Sequence, residues 1–226
     1  MSHHFSLVRL HAGLHQTDWL RDLARQGEAY RDHALIWRLF PGQGAERDFV
    51  FRRLDEPPNS YYVVSARPPA ISHEDSGLFH VRSKPYRPAV QMGELLRFEL
   101  RANPVISRRS ARGRSQRHDV LMQAKRSAPP GADLAEALEA AGRVWFMERA
   151  AHWGLAVHEA SLLQSGYTQH RLRRKGQDIH FSSLDYQGVA QVTDAAKLAQ
   201  ALLQGVGHAK GFGCGLLLVK RLRATE

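Results

Sequence analysis

The sequence predicts an α+β protein made of two tandem ferredoxin-like (RRM-like, βαββαβ) domains, over residues 1–91 and 92–226. Three observations predict it. Short apolar runs of strand period recur on both sides of residue 92. In each half a helical pattern comes after the first strand and before two more. The second half then closes on a capped helix and a purely apolar strand, which completes the split βαβ order. The halves share no visible sequence similarity, so the tandem arrangement rests on element order.

The first half opens with Phe5–Leu10 as a strand. Helical patterns follow from Thr17 to Gly27 and from Tyr30 to Phe40, the second stopped by Pro41-Gly42. Asp48–Arg53 and Tyr61–Ser65 are β-rich runs separated by the turn signal Pro57-Pro58-Asn59. Leu78–Arg82 is a fourth strand, and Pro68–Ser76 before it is too short and too proline-rich for a helix of length. The second half begins with the alternation Leu96–Arg101 and a turn at Asn103-Pro104. A basic, serine-rich segment follows, read as mobile in isolation, and then a helix from Asp133 to Trp153. Val157–Leu163 and Ile179–Val192 read as strands. Thr193-Asp194 caps a helix to Gln204, and Leu216–Val219 is a buried final strand.

Hydrophobic content of 43% and charged content of 24% are ordinary for a globular protein. The charge balance is not: Lys+Arg 32 against Asp+Glu 22 gives +10, which calls for a polyanionic partner. No apolar run approaches a membrane span, Met1–His4 lacks signal-peptide character, and the single cysteine, Cys214, forms no internal disulfide. Nucleic acid in a reducing cytoplasm is the expectation, without a membrane. The histidines show no metal-ligand spacing and the acids no two-metal set, so neither a metal nor another cofactor is expected. No helix-turn-helix or zinc-finger pattern supports a DNA-binding regulator.

Two basic clusters stand out. Between Val105 and Arg126, Arg108, Arg109, Arg112, Arg114, Arg117, Lys125 and Arg126 face one acid, Asp119. Arg171, Arg173, Arg174 and Lys175 lie where two strands meet in a hairpin. Such clusters neutralise phosphates and release counterions. The run Gly205–Val219 adds Gly205, Gly207, Gly211, Gly213 and Gly215 around Lys210. It follows a helix and precedes a strand, the reverse of a nucleotide-binding loop, so it reads as a backbone clamp on a phosphodiester with Lys210 as a phosphate contact. On the helix over Tyr30–Trp37, Tyr30 and His33 are neighbours at i, i+3 and Trp37 follows at i+4. An imidazole and a phenol there suit proton transfer; the other reading makes His33 a surface helix residue and Tyr30 with Trp37 core anchors.

Four segments in order resemble the CasE family of CRISPR-associated endoribonucleases. They are Tyr30-x-x-His33-x-x-x-Trp37-x-Leu39-Phe40-Pro41, Arg47–Phe51, Leu100-Arg101-Ala102-Asn103-Pro104, and Gly205-x-Gly207-x-x-Lys210-x-x-Gly213-x-Gly215-Leu-Leu. The resemblance implies two tandem ferredoxin-like domains and metal-free cleavage of CRISPR repeat hairpins by attack of a ribose 2′-OH. His33 matches the family's catalytic histidine and Tyr30 its accompanying tyrosine. The product hairpin is expected to stay bound as the protein joins the other subunits of a Cascade complex. The alternative is an RNA-hairpin-binding subunit of the same fold without catalysis. Cutting is assigned to the first half and recognition to the second.

Overall fold

The computed structural model describes residues 2–11, 22–23, 25–42, 47–109, 113, 115–174 and 177–222, with backbone alone at 109, 115, 173, 174 and 177. Most of the expected helix from Thr17 to Gly27 lies outside these residues, as do Arg112, Arg114 and Lys175. Of Arg109, Arg173 and Arg174 only the backbone is described.

The first half builds a four-stranded antiparallel sheet in the order β2-β3-β1-β4, from β1 (His3–Leu10), β2 (Phe49–Arg53), β3 (Ser60–Ser65) and β4 (Phe79–Tyr86). Helix α1 (Glu28–Arg38) covers one face. Its buried positions, Ala29, Asp32, Leu35 and Ile36, continue into Leu39 and Phe40 and follow the 3.6-residue period. They pack on Val8, Phe49, Phe51, Tyr61, Val63 and Phe79. A single 3₁₀ turn at His73–Asp75 stands where the second helix of the unit would be.

The second half repeats the order with additions. Its sheet runs β11-β5-β10-β8, from β5 (Leu95–Ala102), β8 (Leu155–Val157), β10 (Gln177–Val192) and β11 (Leu217–Arg221), while β9 (Leu163–Arg174) pairs along β10 with an irregularity between Ser183 and Asp185. Helices α3 (Leu134–Ala150) and α4 (Ala195–Gln204) pack on it over a core centred on Phe98, Leu100, Trp145, Phe146, Tyr186, Leu198 and Leu202. Asp133 and Asp194 cap the two helices, accepting from Ala135 N at 2.8 Å and Lys197 N at 3.0 Å.

Two stretches differ from the expected elements. Within the basic segment, read as mobile only in isolation, β6 (Val105–Arg109) pairs with β7 (Ser115–Asp119), and helix α2 (Val120–Ser127) follows. Asp119 caps α2 through Leu121 N and Met122 N. Trp145 Nε1 donates to Val105 O at 3.0 Å, anchoring the hairpin in the core. Val157–Leu163 is not one strand. After β8 the chain makes a 3₁₀ turn, where Ser161 Oγ donates to His158 O and accepts from Val189 N in place of ladder bonds.

The halves are packed together. Val50 and Val64 of the first sheet share a buried cluster with Leu216. Arg101 of β5 forms a two-pronged pair with Asp185 at 2.9 and 2.7 Å, and Arg52 of β2 approaches the same carboxylate at 3.7 Å. Among the described residues no helix is long and apolar enough to cross a membrane.

Candidate active site

Helix α1 starts at Gly27, whose φ of 103° is open to glycine and which lies so close to β9 that a Cβ would sit 3.1 Å from Arg171 O. From that start the helix places Tyr30, His33 and Trp37, all half-buried, along one stripe, and Trp37 packs on the core beside Phe49. The His33 ring centroid lies 6.2 Å from Tyr30 and 6.0 Å from Trp37. Between them, the buried Asp32 turns inward. It accepts from Tyr61 Oη at 2.7 Å and from Arg31 at 3.1 and 2.9 Å, which locks the helix against β3. Burial, together with the neighbouring Asp32 carboxylate, pushes the Tyr61 phenol far above its usual range.

The partner of His33 comes from the far end of the chain. His33 Nδ1 lies 2.7 Å from the carbonyl oxygen of Gly211, 178 positions away. A carbonyl only accepts, so Nδ1 carries the hydrogen in this contact, and in the neutral ring Nε2 is the basic nitrogen. Phe212 lies against the imidazole, with centroids 5.2 Å apart. The glycine-rich loop of the second half therefore orients this histidine of the first.

The loop's other members have structural duties. Gly205, Gly207, Gly213 and Gly215 hold positive φ, with Gly205 against Val50 and Gly215 against the Val206 carbonyl, while Gly207 is exposed with open space around it. Lys210 Nζ donates to Gln204 O and Gly205 O, both at 3.2 Å, closing the C-terminus of α4. Burial and the nearby Arg47 lower its ammonium from the usual lysine value.

A ring ladder leads away from His33. Phe212 stacks on Phe181 at 5.6 Å, and Phe181 on His170 at 4.4 Å. His170 lies 2.8 Å from Ser183 Oγ, and burial, with help from Arg101, lowers its imidazole. Beyond it opens a cavity of about 420 Å³ lined by Arg108, Arg117, Arg126 and Arg171, with His118 and His180. The two basic clusters of the sequence thus meet in one groove. Lys125 is exposed on α2, outside the lining. Asp119, the segment's one acid, is engaged by the α2 cap and by the Ser182 hydroxyl. Sequence reasoning does not single out Arg47, Phe212, Phe181 or His170 as site residues. Of these, Phe212 and Arg47 carry a sequence signal, the first its place inside the glycine run and the second its place at the head of the segment Arg47–Phe51.

Among the described residues no group of three or more His, Cys, Asp or Glu side chains is placed to hold a metal ion.

The profile of the family described as CRISPR associated protein matches residues 4–221. The chain is 28% identical over 196 residues to the CRISPR-associated endoribonuclease Cse3 of Thermus thermophilus, covering 82% of this chain and 79% of that one. It is 26% identical over 202 residues to the CRISPR system Cascade subunit CasE of Escherichia coli, covering 88% and 92%. Among solved structures, Thermus thermophilus Cse3 bound to an RNA representing a pre-cleavage complex superposes with a TM-score of 0.72 at 23% identity, over 97% of this chain and 100% of that one. The crystal structure of Cas6e from Escherichia coli superposes at 0.60 with 22% identity, over 97% and 100%. Both confirm the tandem ferredoxin-like fold. With nearly its whole length matched by the family profile and both relatives named as Cse3 or CasE, the chain belongs to the CRISPR-associated protein family, in its CasE group.

Proposed function

We propose that the protein is a metal-independent endoribonuclease that binds CRISPR repeat hairpins in precursor CRISPR RNA, cuts them by 2′-OH attack, and keeps the 3′ hairpin as a subunit of a Cascade complex. The observation that carries the reading is the His33 imidazole, held in one tautomer by the Gly211 carbonyl at the end of a ring ladder that leads to an arginine-lined groove. The relatives' names, an endoribonuclease and a Cascade subunit, support it.

In the reaction the 2′-oxygen loses its proton and bonds to the adjacent phosphorus. The P–O5′ bond breaks, and the 5′-oxygen gains a proton, leaving a 2′,3′-cyclic phosphate and a 5′-hydroxyl. His33 Nε2 and the Tyr30 hydroxyl exchange those protons. No metal is required of this route, because the nucleophile belongs to the RNA. Arg108, Arg117, Arg126 and Arg171 supply phosphate contacts along the stem, and Lys125, Arg109, Arg112, Arg114, Arg173, Arg174 and Lys175 are assigned the same role by their charge. The site of action is the cytoplasm, where the buried Cys214 stays reduced.

The test is cleavage of an end-labelled cognate repeat hairpin in EDTA. Wild type should yield a cyclic-phosphate end, while His33→Ala, or a 2′-deoxy at the cut, should leave the RNA intact but bound. Wild-type cleavage by His33→Ala would overturn the catalytic assignment.

A further inference from the structure

The proton-transfer pair leaves one requirement of the reaction unassigned, a cation for the charge that grows on the phosphorane oxygens. Lys210 is the obvious candidate by sequence, but its ammonium is directed at two carbonyls of its own helix end. A second cation stands closer to the histidine. At Gly211 a Cβ would lie 3.3 Å from Arg47 Nη1 and 3.4 Å from His33 Nδ1. The missing side chain is thus what lets guanidinium and imidazole converge on one point.

The backbone at this point is fixed. Asp48 O accepts from Ala66 N at 2.9 Å, and the Asp48 carboxylate holds Arg67 Nε at 2.6 Å, so the residue before β2 is pinned to the edge of the sheet. The electrostatics single Arg47 out. Arg31, Arg52, Arg53, Arg67 and Arg101, buried or half-buried, each reach a carboxylate, whereas Arg47 stands at the exposed rim of the site. Among the described residues no carboxylate pairs with Arg47. Instead, desolvation lowers its guanidinium, and its charge in turn lowers Lys210. Positive charge left uncompensated beside a proton-transfer group favours an anion at that place, and a planar guanidinium fork matches two phosphate oxygens.

We propose that Arg47 is a catalytic residue whose guanidinium donates to the non-bridging oxygens of the scissile phosphate and neutralises the charge that develops on them. The bonds made and broken are those of the 2′-OH route, so this proposal rests on the endoribonuclease reading.

The experiment measures single-turnover cleavage and binding of the end-labelled cognate repeat hairpin in EDTA by wild type, Arg47→Ala, Arg47→Lys and His33→Ala. Loss of an oxyanion-stabilising donor predicts a rate lower by about 10²–10³-fold for Arg47→Ala. Its Kd should stay within about threefold, the signature of an interaction made in the transition state. Arg47→Lys should recover part of the rate. A single phosphorothioate diastereomer at the cut should slow wild type and leave Arg47→Ala no slower than with the ordinary phosphate. Arg47→Gln, which keeps length without charge, replaces alanine if that variant melts early. A near wild-type rate in Arg47→Ala, or a loss confined to Kd with the sulfur effect intact, overturns the proposal. If His33→Ala cleaves like wild type, the parent reading fails instead, so the two failures are told apart.

Discussion

Replacing Gly211 by alanine should slow RNA cleavage while leaving stability almost untouched. Gly211 does not have positive φ, so the backbone tolerates a side chain. The new methyl would sit 3.4 Å from His33 Nδ1 and 3.7 Å from its Cε1. Carbon contacts are comfortable at about 3.5–4.0 Å, so the ring must give by a few tenths of an ångström. The Arg47 tip at 3.3 Å swings aside more cheaply, being the end of a flexible chain. A misplacement of about 1 Å costs roughly 10²-fold in rate, so a shift of a third to half that size predicts a slowing of about 4–10-fold. Unfolding free energy should move by less than about 1 kcal/mol, since mild overpacking is offset by the stiffer unfolded chain. Gly215→Ala is the control. Its φ of 88° is left-handed and its methyl would overlap the Val206 carbonyl, so it should lose about 1–3 kcal/mol or more from backbone strain. Single-turnover cleavage of the labelled repeat hairpin and urea unfolding read the two quantities. A wild-type rate for Gly211→Ala, or equal stability losses in the two variants, would refute the view that Gly211 serves the histidine and Gly215 the fold.

Three further outcomes are expected. Tyr61→Phe removes a 2.7 Å hydrogen bond to buried Asp32 while Arg31 remains, and should cost about 1.5–3 kcal/mol, seen as a lower urea midpoint with an unchanged slope. Burial alone would raise the Asp75 carboxyl, but hydrogen bonds from Arg38 and Ser72 outweigh it and hold the group below its ordinary value. Because the folded value is the lower one, this stabilisation is complete above the unfolded value of about 3.9 and fades as pH falls through the folded one. Asp75→Asn should therefore flatten the acid limb of urea midpoint against pH, and an unaltered limb would contradict the assignment. Alanine at Arg108, Arg117 or Arg126 should each flatten the plot of log affinity against log salt by about 0.7–0.9 for every phosphate left without its arginine, measured by filter binding across a salt series.

The strands of the first half are readable because each alternates or runs apolar over a length that suits one sheet, and the pause at Pro68–Ser76 is readable as a failed helix. The hairpin β6-β7 is not. Beyond Val105 and Ile106 its strands are mostly arginine, serine and other polar residues, which carry no β period, and what orders them is the docking of Val105 under Trp145, between residues 40 positions apart. The stretch after β8 misleads in the opposite direction, since Leu162 looks like a continuing strand while the Ser161 hydroxyl closes a turn there. At the site, the shared face of Tyr30, His33 and Trp37 follows from helical spacing alone. That Gly211 orients the imidazole does not, because its φ is ordinary and the reason for a glycine lies in another element. The placement of Arg171 beside Gly27, and of both basic clusters in one groove, likewise needs the fold.

The hydrogen bond from His33 to Gly211 also sets a timetable. The imidazole is made 178 residues before the carbonyl that aligns it. A growing chain therefore carries this side chain through that interval without the group that aims it. On the proposed reading, cutting competence arrives only when residue 211 has been made and docked, so chains stopped short of it should be harmless to the RNA around them.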